Sequence, residues 1–412
     1  MRRLRSQYWD SDRLHRHVQT KLARTLAAAT RIPFYTTHYS RAASVESFSQ
    51  LPILKRSDVH ELFASVRSMY PGATDLMHDS SSGSTGMPAE FLFDNSHQRG
   101  RFASRARYLR AYGWHPLRRT VWLVGDRFIL DVGDEPDTQL VRSKLMRGIT
   151  FIRVSSNLEE QFEQIVKVDP VYLYSFPSVL DGLLAMLQRT DRQLRSLKCI
   201  FTGAEVVDDS LRERARRVLG VEIADNYGST EAFLAWQCPA GSYHINAEHV
   251  LVEILGTDGG PVAPGEIGRV IVTTLENRLM PLIRYEIGDW AYATNAQCRC
   301  GRTLPLIERL AGREMSLFRL ADGRLASPYE LIGLMKKRPE ILQFQIVQKS
   351  LDSYLVRHVS RDPLDPDAES WIRVKFNEIL RSSVKVSFER VASIDRLPNG
   401  KFIPAISEVT GC

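Results

Sequence analysis

Long apolar runs are missing from this chain: no stretch approaches the ~18–20 residues that a membrane-spanning helix needs. The opening MRRLRSQYWD is basic, but no apolar segment follows it, so neither a secretory signal nor a membrane partner is expected, and a cytoplasmic location is. Cysteine is scarce, with 5 in 412 residues, and an odd number in such a chain argues against a disulfide framework. Lysine is scarcer than the charge suggests. Only 11 of the 55 Lys and Arg residues are lysines, so a lysine in a phosphate-handling setting stands out. Blocks of one sign are absent too, the longest basic run being Lys336–Arg338. The net charge of +7 therefore reads as a solvated surface, and nucleic acid is not expected as a partner. Internal repeats and low-complexity tracts are also lacking.

What is there is the composition of a soluble globular protein: 43% hydrophobic, 25% charged, 25 Gly and 19 Pro. At ~150 residues per unit the length suggests two to three structural units. The first hundred residues read mostly helical, with apolar spacing over Arg13–Ala28 and over Ser57–Val66 behind a Ser57–Asp58 cap. From Thr120 the texture changes. Short apolar runs at Val121–Val124, Gly148–Val154, Val171–Tyr174, Cys199–Thr202 and Val221–Asn226 alternate with helical stretches at Ser178–Gln188 and Asp209–Leu219, which predicts a largely parallel sheet. A β-rich region follows, with strands predicted at His249–Ile254, Gly268–Thr274 and Leu282–Tyr285. The last hundred residues read as a compact β–β–α–β unit ending in the loop Leu397–Phe402. The fold class is α/β with a small α+β C-terminal domain.

Four motifs carry chemistry. Asp79-Ser80-Ser81-Ser82-Gly83-Ser84-Thr85-Gly86-Met87-Pro88 is a poor helix or strand former and a good phosphate binder. Its glycines let backbone N–H groups approach oxyanions, and its hydroxyls add donors. It lacks the spacing and lysine of a Walker A loop. Asp225-Asn226-Tyr227-Gly228-Ser229-Thr230-Glu231 closes an apolar strand: its ring suits a base, its glycine clears space, its hydroxyls suit phosphate and its carboxylate suits Mg²⁺. Phe201-Thr202-Gly203-Ala204-Glu205 ends another strand and is a candidate opposite wall. Met280–Asp289 places a carboxylate after a glycine at a predicted strand end, suited to two ribose hydroxyls, and Leu397-Pro398-Asn399-Gly400-Lys401 is a turn presenting one lysine.

In this order the motifs SSSGSTGMP, TGAE, NYGSTE, PLIRYEIGDW, GRTLP, GR and LPNGK resemble the AMP-forming acyl-adenylate synthetases, and more narrowly the branch of phenylacetate–CoA ligases and capsule-biosynthesis relatives. The resemblance implies a large N-terminal domain, 1–312, that binds ATP and a carboxylic acid, and a small mobile C-terminal domain, 313–412. It implies that Ser81, Ser82, Gly83, Ser84 and Thr85, with Gly86, cradle the β/γ-phosphates. Gly203, Ala204, Glu205 and Tyr227 would frame adenine, with Asn226, Gly228 and Ser229 in the same nucleotide wall. Thr230 and Glu231 would serve phosphate and Mg²⁺, Asp289 the ribose with Arg313 nearby, and Lys401 would bridge carboxylate and α-phosphate.

Two departures from the family pattern stand out: Met87 occupies a place where many relatives have lysine, and Glu314-Met315-Ser316 follows Arg313 where ligase-type relatives usually have paired aspartates. The sequence around FRLADGRLASPYEL is closer to the capsule-biosynthesis subgroup, so adenylation is better founded than CoA as acceptor. Three thiols and one imidazole, Cys238, His244, Cys298 and Cys300, make a closed tetrahedral set for structural Zn²⁺, as in other members of this branch, with His249 as an alternative ligand. Tyr174, Phe176, Phe233 and Trp236 suggest an apolar wall for an aromatic or otherwise planar acid. The expected function is ATP- and Mg²⁺-dependent activation of such an acid, followed by transfer to CoA, or to an amine or carrier-protein thiol. A non-catalytic nucleotide- or nucleic-acid-binding protein is the alternative of a different class. Oligomeric state is not legible.

Overall fold

The structure is a computed structural model that describes residues 2–39, 44–73, 76–81, 89–124, 148–154, 156–313, 317–338, 340–394 and 403–409. The chain forms two compact units, one from Met1–His115 with Ala224–Leu310 and one from Pro116–Ile223 with Ala311–Cys412. Among the described residues no helix is long and apolar enough to cross a membrane.

In the first unit the helix Ser11–Ala29 starts where the Asp10 carboxylate accepts the Arg13 N–H at 2.7 Å, and Leu14, Val18, Leu22, Leu26 and Ala29 form its buried face. The helices Val59–Met69 and Asn95–Ala111 follow, the second capped by Asp94. Between them an antiparallel hairpin pairs Met77–Ser80 with Glu90–Phe93. The strands Val250–Leu255, Ile267–Thr274 and Tyr285–Tyr292 form an antiparallel sheet. Phe233–Gln237 reverses against Ile223–Gly228, then pairs with Tyr243–Ile245. One apolar core joins Leu22, Val66, Phe91, Phe93, Val272 and Tyr285.

The sequence reading ends one strand where the structure begins it. Leu282 and Ile283 are buried but not in a strand; the strand is Tyr285–Tyr292. The reason is Arg284, whose φ of 48° breaks the extended run. Its guanidinium is held inside, donating to the carbonyls of Ser49 and Leu51 at 2.5 and 2.6 Å and pairing with Glu253 at 3.1 Å. Asp289 consequently lies within the strand, at a bulge made by Gly288 (φ 83°), rather than at its end.

The second unit contains the expected parallel sheet. Cys199–Thr202, Tyr172–Ser175, Thr120–Val124 and Ile149–Arg153 are adjacent in that order. Val121, Leu123, Ile152, Leu173 and Ile200 point to one face and bury against Phe162, Ile165, Leu180, Leu184 and Leu211, which come from the helices Leu158–Val168, Pro177–Arg189 and Asp209–Leu219. The alternate residues place Phe151, Trp122 and Tyr174 side by side on the other face, with Trp122 stacked on Tyr174 at 4.9 Å. In the same unit Ile341–Ser350 and Ser353–Ser360 form an antiparallel pair, flanked in parallel by Ala405–Ser407 and Lys385–Arg390. The helix Pro366–Leu380 packs Ile372, Phe376 and Leu380 into this region's own core.

Arg107 is the most demanding residue to bury. At 1% exposure it pairs with Glu248 at 2.8 and 3.1 Å and donates to the Asn246 side-chain carbonyl at 2.6 Å. Removing one partner of such a pair strands the other charge. Arg107→Met is expected to lower stability by about 3–5 kcal/mol, read as a fall in urea midpoint at unchanged slope. A loss under 1 kcal/mol would contradict this account.

Candidate active site and Cys/His cluster

The motif residues of the first unit converge from separate segments. The strand Ile223–Gly228 carries Asn226 and Tyr227, both buried, and runs two residues past Asn226, where the sequence pattern ends it. A tight reversal follows: Ser229 N–H donates to the Ala232 carbonyl at 2.9 Å, and Thr230 and Glu231 sit in the turn. The Tyr227 hydroxyl donates to Asp289 Oδ2 at 2.9 Å, so the residues assigned to base and ribose share one hydrogen bond. Glu231 is buried beside Tyr285. Burial first, then the charge of Glu231, pushes the Tyr285 phenol up, while Arg56 acts in the opposite direction.

Ser81 stands at the mouth of the Ser/Gly-rich motif. Its N–H donates to the Ala89 carbonyl at 2.9 Å, and its hydroxyl accepts the Ala89 N–H at 2.9 Å and an Arg56 N–H at 2.7 Å. The two ends of the motif are thus tied together on the hairpin. Ser82, Gly83, Ser84, Thr85, Gly86 and Met87 lie outside the described residues, as do Glu314, Met315, Ser316 and Lys401.

In the second unit Gly203 is buried and Ala204 is exposed with φ 67°, a left-handed conformation that costs a non-glycine residue about 1–2 kcal/mol. Glu205 accepts from the Ser178 N–H at 2.8 Å and its hydroxyl at 3.0 Å, which binds the carboxylate to the start of the helix Pro177–Arg189. Tyr174 is half-buried against Trp122, Phe176 caps that helix, and Arg313 ends the strand Arg309–Arg313 and is exposed. In the first unit Phe233 and Trp236 are core residues. Trp236 is 0% exposed, with Tyr108 and His244 beside it and the Arg302 guanidinium 5.1 Å from its ring centroid.

Sequence reasoning missed Arg101. It lies in the helix Asn95–Ala111 and donates to the carbonyls of Thr230 and Ser229 at 3.2 and 3.4 Å. Burial, then neighbouring Arg105, brings it down to about 10, against the opposing pull of Asp79 and Glu231. An arginine-rich helix reads as a solvated face, and nothing local announces that one guanidinium turns inward.

Cys238, His244, Cys298 and Cys300 come together with all four ligand atoms within 4.8 Å of one another. Cys238 Sγ and Cys298 Sγ are 3.5 Å apart, and Cys300 Sγ is 3.3 Å from His244 Nε2. Two turns deliver them: Gly241 N–H returns to the Cys238 carbonyl, and Gly301, at φ 76°, returns to Cys298. Metal–sulfur bonds of ~2.3 Å in a tetrahedron set sulfurs roughly 3.8 Å apart, so the soft donor set and its spacing suit Zn²⁺. Burial pushes the Cys238 thiol up to about 11 and drives His244 down to about 4, so the ring is a neutral imidazole. His249, the alternative ligand, is not in this cluster: its Nδ1 meets Glu276 at 2.9 Å. Among the described residues no disulfide forms.

Two family models match the chain, "AMP-binding enzyme" over residues 140–276 and "CapK C-terminal domain" over residues 320–408. The chain belongs to the AMP-forming acyl-adenylate synthetases. It lies in their phenylacetate–CoA ligase-like branch, with a CapK-type C-terminal domain, and is an AMP-forming ligase. It is 25% identical to the phenylacetate-coenzyme A ligase of Thermus thermophilus over 337 residues, covering 77% of this chain and 74% of that one. It is 21% identical to Protein CapK of Staphylococcus aureus over 384 residues, 89% and 81% of the two chains. In fold it is similar to 2-hydroxyisobutyryl-CoA ligase in its postadenylation state, at a TM-score of 0.75 and 18% identity over 95% of this synthetase and 89% of that chain.

Arg101→Met should loosen the turn bearing Thr230 and Glu231, since each hydrogen bond to a charged group contributes about 1.5–3 kcal/mol. Amide exchange at residues 229–232 is expected to speed up at least tenfold while the helix Ser11–Ala29 exchanges as before; unchanged exchange at the turn would contradict the role.

Proposed function

We propose that this synthetase activates an aromatic carboxylic acid with ATP, releases pyrophosphate, and passes the acyl group from the acyl-adenylate to the thiol of CoA. The observation that carries the reading is the convergence, within one unit, of Ser81, Tyr227, Glu231 and Asp289 from three separate chain segments. A carboxylate oxygen attacks the α-phosphorus, the bond to the bridging oxygen breaks, and pyrophosphate departs. Charge builds on phosphate oxygens in that step, so fixed N–H and cationic donors lower its barrier. The Ser81–Thr85 segment with Gly86 would hold the β/γ-phosphates, Asn226 to Ser229 would frame the base, and Asp289 would accept from the ribose. Lys401 would bridge the two reacting groups. The Glu231 carboxylate and Thr230 hydroxyl are hard oxygen donors that suit Mg²⁺, which would neutralise phosphate charge when bound.

The half-buried row Phe151, Trp122 and Tyr174 supports a planar acid as substrate, with Tyr174 and Phe176 as lining residues. A C-terminal domain beginning near residue 313 is supported by the CapK-type match over residues 320–408 and by the separate core of that region. A second reading, in which an amine or a carrier-protein thiol takes the acyl group, rests on the departure at Glu314-Met315-Ser316 from the ligase-type pattern. Among the described residues, cysteines without disulfides and no helix long and apolar enough to span a membrane suit a cytoplasmic setting.

Carboxylate-dependent pyrophosphate release, screened over aryl and alkyl acids, tests the reading; no release with any acid would sink it. Lys401→Ala is expected to lose at least ~100-fold in this step while melting like the parent, and retained release would refute its role. For the cluster we propose one structural Zn²⁺ held by Cys238, His244, Cys298 and Cys300. Dialysed protein should hold about one zinc per chain, Cys298→Ser should lose it and melt earlier, and metal-free parent protein would contradict the assignment.

A further inference from the structure

The phosphate motif Ser81–Pro88 contains no lysine or arginine, so a cation for the polyphosphate has to come from elsewhere. We propose that Arg56 supplies it, acting as a direct ligand of the nucleotide's β/γ-phosphates beside Glu231; the assignment rests on the ATP-dependent reading above. Its placement is built into the fold. Leu54 forms an isolated parallel bridge with Tyr285: the Leu54 N–H donates to the Arg284 carbonyl at 3.0 Å, and the Glu286 N–H donates to the Leu54 carbonyl at 2.9 Å. This docks the turn Arg56–Asp58 next to the strand Tyr285–Tyr292.

From there the Arg56 guanidinium donates to Ser81 Oγ at 2.7 Å, at the point where the phosphate motif begins and where Ala89 closes it. Its influence on Tyr285, opposite in sign to that of Glu231, sets it against the same phenol as the Mg²⁺-suited carboxylate. The neighbouring lysine makes the contrast: Lys55 is paired with Glu286, whereas Arg56 donates to a hydroxyl, an acceptor without charge. One of five N–H groups reaches Ser81, and a planar fork is the geometry that takes phosphate oxygens in pairs.

Calorimetric binding of ATP and of AMP, both with Mg²⁺, separates the phosphates at issue from the rest of the nucleotide. Arg56→Gln is expected to weaken ATP about tenfold or more, the loss of a charge-assisted hydrogen bond, while AMP stays within about twofold. Arg56→Lys, which keeps the charge and loses the fork, should fall between. Equal weakening of both nucleotides, or unchanged ATP binding, overturns the proposal. If Arg56→Gln melts early, Arg56→Lys carries the test: it must weaken ATP more than AMP, and failure to do so overturns the assignment. Parent protein that binds neither nucleotide overturns the ATP-dependent reading and this one with it, whereas parent protein that binds ATP as tightly as Arg56→Gln overturns this one alone.

Discussion

A buried ion pair holds the first unit to its own two halves of sequence. Arg107, from the first 115 residues, meets Glu248, from beyond residue 223, in a place water does not reach. Two charges in such a place are tolerable only because most of their remaining hydrogen-bonding capacity is met. Asn246 takes one guanidinium N–H, and the Ser6 hydroxyl donates to Glu248 at 2.5 Å. Lys21 reaches the Glu248 carbonyl and pairs with Glu276, which in turn meets His249. The helix that carries Arg107 also carries Arg101, so the pair that fixes the helix indirectly fixes the support beneath Thr230 and Glu231.

Periodic segments were the readable ones. Asp209–Leu219 was legible to the residue because an aspartate cap, an apolar stripe and a terminal Gly220 all agree. The four strands of the parallel sheet were legible as apolar runs, since one face is buried against helices and the other carries aromatic rings. The strand at Tyr285–Tyr292 was not, because its start depends on a left-handed Arg284 fixed by Ser49, Leu51 and Glu253, over 230 positions away for the first two and 31 for the third. No local pattern encodes that.

The site divides the same way. Tyr227, Glu231, Asp289 and the four Cys/His residues could be named because their chemistry is unusual in a turn or at such spacing. Arg56 and Arg101 could not, in a chain with 44 arginines among its 55 basic residues, because what distinguishes them is a neighbour brought by tertiary structure. Trp236 shows the converse. An aromatic beside a motif reads as a wall, and here it is enclosed between Tyr108, His244 and Arg302, where its size supports the Cys/His cluster.

The paired hydrogen bonds between Ser81 and Ala89 bear on entropy as well as position. With its ends joined by the hairpin, the segment between them has its loop closure fixed at folding, whether or not a ligand is present. Length then matters little: doubling the segment would add only about 0.6 kcal/mol of closure entropy. The energetic constraint therefore falls on Ser81 and Ala89, which close the gap through the backbone, and not on the number of residues between them.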